Sequence, residues 1–89
     1  APLGSVMEAI ARDARIEVDD TFVGGGYGVP TPASIEAQGL AARTEALFVD
    51  HTYTAKALAA LVQYVRAGRI PGDATVVFWH TGGQVGLFA

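Results

Sequence analysis

The chain has 89 residues, no cysteine and a formal net charge of -3. That is enough for one small domain, and it argues against a nucleic-acid surface. Apolar residues make up 51% and charged residues 17%, more apolar surface than so small a globule can hide alone.

Residues 1–5, APLGS, have the composition of a linker or cloning remnant, and residues 6–89 read as the structured segment. Val6, Ala9, Ile10 and Ala14 recur at helical spacing and predict a helix over 6–14. Residues 16–22 alternate through Ile16, Val18 and Phe22 and predict a strand. GGGYGVPTP, residues 24–32, is too rich in Gly and Pro for regular structure and predicts a loop. Thr31 is a good N-cap and Pro32 suits a first helical position, so a helix is expected over 32–45, with Ile35, Ala42 and Ala46 along one face.

ALFV, 46–49, reads as a strand buried on both faces. DHTYTAK, 50–56, follows, and Leu58, Leu61, Val62 and Val65 predict a second helix closed by Gly68 and Pro71. TVVFW, 75–79, is the plainest strand signal, and HTGG, 80–83, opens a further helix. The class is therefore α/β: a β-α-β-α-β order, a parallel sheet with right-handed crossovers. No apolar run reaches the roughly 18 residues of a membrane span, and the expected location is cytoplasmic.

In such a sheet the loops after the strands share one edge, where ligands bind. Three polar clusters fall there: 24–31, 50–54 and 80–83. Tyr27 lies between two glycines that let the backbone approach a ligand, and Tyr53 opens a helix with a phenol able to orient or protonate a bound group. Thr52 and Thr54 read as caps of that helix, and Asp50 as a cap or a partner of an arginine. Lys56, the chain's only lysine, reads as solvated or paired with an acid. His80 and Thr81 end a strand, and Gly82 with Gly83 offers backbone N–H groups to an anion or a ring edge. His51 and His80 lack a third ligand at metal spacing, so no metal centre is expected.

These clusters carry a resemblance. YGVP, ARTE, VDHTYTAKA and HTGG…LFA, spread from about residue 16 to 89, resemble the C-terminal part of the fold-type II pyridoxal-phosphate enzymes that include D-cysteine desulfhydrase and 1-aminocyclopropane-1-carboxylate deaminase. The resemblance implies a homodimeric enzyme of two α/β domains with pyridoxal phosphate as cofactor and a small amino acid as substrate. It places Tyr27 and Tyr53 against the substrate as catalytic residues. It places Thr54, Thr81 and Gly82 at the cofactor, the two threonines near the pyridine nitrogen. The deaminases carry Glu and Leu at the two threonine positions, so the pair of threonines implies the desulfhydrase branch: β-elimination that releases ammonia, pyruvate and sulfide.

A neutral hydroxyl leaves the ring a weaker electron sink than a carboxylate would, which suits elimination of a β leaving group. His51, Thr52 and Ala55 stand where the family usually has Pro, Val and Gly, and Val85 where it has Pro. The Schiff-base lysine and the phosphate loop of the family lie in earlier sequence, and Lys56 matches a different lysine. The expectation is a C-terminal fragment, inactive alone, whose partner is a second copy or the missing N-terminal part. The alternatives are a deaminase-like ring opening, a non-catalytic assembly domain that kept the fold, or a small-molecule binding module using the same loops.

Overall fold

The computed structural model describes residues 15–83 and residue 87. The expected helix over 6–14, the linker at 1–5 and the helix expected to follow HTGG lie outside those residues.

Two helices form the frame: α1, Pro32–Glu45, and α2, Thr54–Arg66. The α1 start follows from Thr31 and Pro32. The Thr31 side chain accepts from the Ser34 N–H at 3.0 Å, and the Ser34 hydroxyl accepts from the Thr31 N–H at 2.8 Å. This reciprocal box satisfies two N–H groups that the helix itself cannot. Thr31→Ala is expected to cost about 1 kcal/mol of stability in denaturant unfolding, with the urea dependence unchanged. Ala46 ends α1 in the left-handed region at φ 52°, and its N–H returns to the Ala41 carbonyl.

The buried face of α1 differs from the expected one. Ser34, Ala37 and Ala41 are buried, whereas Ile35 is 58% exposed. Small side chains let α1 approach Ala55 and Ala59 of α2 closely, and the core is built of these alanines and Val49. Gln38 Nε2 donates to the Val49 carbonyl at 2.8 Å, and Arg66 bridges to Glu36 across the helices at 2.5 Å. Among the described residues no helix is long and apolar enough to cross a membrane.

The expected sheet is not formed: the described residues contain no strand. Segments 16–22, 46–49 and 75–79 carry the β-branched and aromatic residues that suggested strands, yet none pairs with another. The reason is physical. A parallel strand needs neighbours for its N–H and C=O groups and cover on both faces, and two helices can cover little. Val18, Val77, Trp79 and Phe48 accordingly stand exposed, while Val49, the end of its run, is fully buried against the helices.

Candidate active site

Asp50 organises the start of α2. Its carboxylate accepts from the N–H groups of Thr52 at 3.1 Å, Tyr53 at 2.9 Å and Thr54 at 3.1 Å. Its own carbonyl takes the Ala55 N–H at 2.8 Å. A carboxylate at a helix N-terminus also meets the positive end of the helix dipole. Burial opposes the charge on Asp50, but the N–H groups of Tyr53, Thr54 and Thr52 outweigh it and hold the carboxyl below its usual range. The capping role given to Thr52 from sequence thus belongs to Asp50. Gly83 closes over the same carboxylate, and a Cβ there would lie 2.6 Å from Asp50 Oδ1.

Lys56 also departs from expectation. It is buried, and Nζ donates to the carbonyls of Val23 at 2.7 Å and Gly26 at 2.9 Å. The glycine loop is thereby tied to the first turn of α2. Gly26 and Gly28, at φ 135° and 73°, carry the backbone around Tyr27 in conformations that suit glycine.

These two anchors bring Tyr27 and Tyr53 together from 26 positions apart. Their hydroxyls are 2.5 Å from one another, and the rings meet edge to face with centroids 5.7 Å apart. Both phenols are exposed. The hydrogen bond to Tyr27, aided by lesser burial and by the charge of Asp50, pushes Tyr53 above the usual tyrosine value. Tyr53 is therefore a protonated phenol at neutral pH. Beside the pair lies an open cavity of about 400 Å³, lined by Phe22, Val23, Lys56 and Ala57 as well as the two tyrosines.

The third loop meets α2 through Thr54, whose hydroxyl donates to the Gly82 carbonyl at 3.2 Å. The Gly82 N–H turns inward to His80 Nδ1 at 3.1 Å, which puts the imidazole hydrogen of a neutral ring on Nε2. Thr81 is exposed and makes no side-chain hydrogen bond among the described residues. All five residues singled out from sequence thus stand at the start of α2 or on the two loops against it. Tyr27 and Tyr53 are in contact, Thr54 is bonded to Gly82, and Thr81 immediately precedes Gly82 in the chain. Asp50 caps the helix, one of the two roles read for it from sequence, whereas Lys56 was misjudged. For Asp50 the signal was legible, because an Asp four residues before the first helical residue can reach the free N–H groups at the helix start. For Lys56 no local signal existed, since its partners lie 33 and 30 positions away.

Residues 3–82 match the family described as pyridoxal-phosphate dependent enzyme. The chain belongs to that family. It is similar to the D-cysteine desulfhydrases of Salmonella typhi and Salmonella newport, with 40% identity over 81 residues in each case. The match covers 91% of this chain and 25% of each relative, so the chain spans about a quarter of the length of the curated relatives it matches.

The described residues fit one part of a pyridoxal-phosphate site. The Thr81 hydroxyl is exposed and makes no hydrogen bond among the described residues, so it offers a donor of the kind a ring nitrogen accepts, and a Cβ at Gly83 would lie 2.6 Å from Asp50 Oδ1. The only lysine is committed to two carbonyls, so among the described residues no amine is available to hold the cofactor aldehyde.

Proposed function

We propose that this chain is the C-terminal portion of a pyridoxal-phosphate-dependent lyase that acts on a small amino acid by D-cysteine desulfhydrase-like β-elimination. The 2.5 Å contact between the Tyr27 and Tyr53 hydroxyls carries the reading. Two phenols in contact, one of them held protonated, form a unit that can keep a proton on one oxygen and refill it from the other. In the elimination the Cα proton passes to a base supplied by the remaining polypeptide, the Cβ–S bond breaks, water replaces the amine, and ammonia, pyruvate and sulfide leave. Tyr53, with Tyr27 behind it, supplies the proton to the departing sulfur. Bound pyridoxal phosphate supplies the electron sink. Thr81 would hold the ring nitrogen as a donor, and Thr54 would fix that loop through its bond to the Gly82 carbonyl.

The extended apolar segments support the same reading: Val18, Val77 and Trp79 are exposed here and become strand residues when the rest of the enzyme supplies neighbours. That partner is the remaining polypeptide, with a second copy completing a homodimer.

The experiment is a substrate comparison on the complete enzyme. D-cysteine is expected to yield sulfide and pyruvate. Consumption of 1-aminocyclopropane-1-carboxylate without sulfide from D-cysteine would replace this reading with the ring-opening one, and no reaction with either would favour an assembly domain. A second expectation concerns the 89-residue chain by itself. Mixed with pyridoxal phosphate and borohydride, it is expected to gain no stoichiometric adduct at Lys56 by mass spectrometry, because that amine is buried and doubly bonded. Full labelling of Lys56 would contradict this.

A further inference from the structure

We propose that Lys56 is a positioning residue whose side chain clamps the 24–28 loop so that Tyr27 meets Tyr53. The proposal rests on the reading of those tyrosines as the working pair. Three observations carry it.

First, the position is expensive by local rules. A cation in the first turn of a helix opposes the helix dipole, and burying one without an anionic partner costs stability. Among the described residues Lys56 does both, at 8% exposure, where a methionine would fill similar space without either penalty. Second, both hydrogen bonds go to backbone carbonyls of one loop, at 2.7 and 2.9 Å, and flank its glycines. Third, the loop has little else to hold it. Gly24, Gly25 and Tyr27 are exposed, and its internal backbone bond, Val29 N–H to the Gly26 carbonyl, is 3.2 Å long. Gly24 rests on the methyl of Thr31 at the start of α1, which fixes the loop base and leaves the Tyr27 end to Lys56. The ammonium thus converts burial on α2 into the placement of a phenol that α2 does not carry.

The test uses the complete enzyme with D-cysteine and the variants Lys56→Met, Tyr27→Phe and their combination. Displacing a reacting group by about 1 Å can cost about 10²-fold in rate. Lys56→Met is therefore expected to lower kcat about 10²-fold with KM and cofactor content little changed. Acting through Tyr27, it should lower kcat no further in the Tyr27→Phe background, since residues sharing one interaction do not add. Its phenol titration, followed in the ultraviolet, should show one tyrosine ionising at lower pH than in the parent. A parent-like kcat, multiplying losses or an unchanged titration would each overturn the proposal.

If Lys56→Met does not fold, Gly26→Ala serves instead. Its added Cβ meets nothing within 4 Å, but alanine does not hold φ 135°, so the carbonyl leaves Lys56. The same kcat loss is expected, and an unchanged kcat overturns the clamp. Full turnover in Tyr27→Phe alone would sink the reading of the tyrosine pair and this proposal with it. An impaired Tyr27→Phe beside an unaffected Lys56→Met would sink the role of Lys56 only.

Discussion

Tyr53→Phe is expected to lower turnover of D-cysteine in the complete enzyme by about 10²–10⁴-fold, the usual loss for a positioned proton-transfer group. Its melting temperature should hardly move. Tyr53 is 57% exposed and among the described residues its side chain bonds only to Tyr27, so little of the described fold depends on it. Steady-state kinetics and a thermal melt on the same preparation separate the two quantities. Thr52→Ala is the comparison, because Thr52 lines the same cavity but gives only its backbone N–H to Asp50. It should leave both rate and stability close to the parent.

Asp50→Ala is expected to be the most destabilising single change at the site, by about 3 kcal/mol. It strands three backbone N–H groups, of which that of Thr54 is buried, and an unsatisfied buried donor typically costs about 1–3 kcal/mol. Asp50→Asn keeps an acceptor but loses the charge, and should fall between. The pH dependence provides a second readout. Because the folded carboxyl sits below its ordinary value of 3.8, its contribution is fully present above that pH. It is lost as the pH falls from there through the folded value. The parent should therefore lose stability on acidification below about pH 4 in a way that Asp50→Ala does not. Denaturant midpoints measured from neutral pH down through that range would show the difference. Parallel curves for the two proteins would mean that the carboxylate does not hold the cap.

How much of this was legible beforehand differs from element to element. Thr31 followed by Pro32 marks the start of α1 by local chemistry, and the structure starts the helix at Pro32. The face of α1 was not legible, because hydrophobicity favoured Ile35 while helix contact selected the small residues Ser34, Ala37 and Ala41. The β-branched runs were visible in sequence, but pairing is a property of neighbours, and the described residues supply none. The contact of Tyr27 with Tyr53 agrees with the expectation that their loops lie together, although that expectation was argued from a sheet edge that the described residues do not form. Its cause, a buried Lys56 bonded to carbonyls some 30 positions earlier, is non-local and leaves no pattern along the chain.

The central claim is that the two phenols act as one unit, and a double-mutant cycle on kcat tests it most directly. Tyr27→Phe, Tyr53→Phe and the double variant are compared with the parent in the complete enzyme on D-cysteine. Groups that act as a unit give strongly non-additive losses. The account predicts that the double variant is no slower than Tyr53→Phe alone. Losses that multiply, or a Tyr53→Phe variant with the parent's turnover, would contradict it.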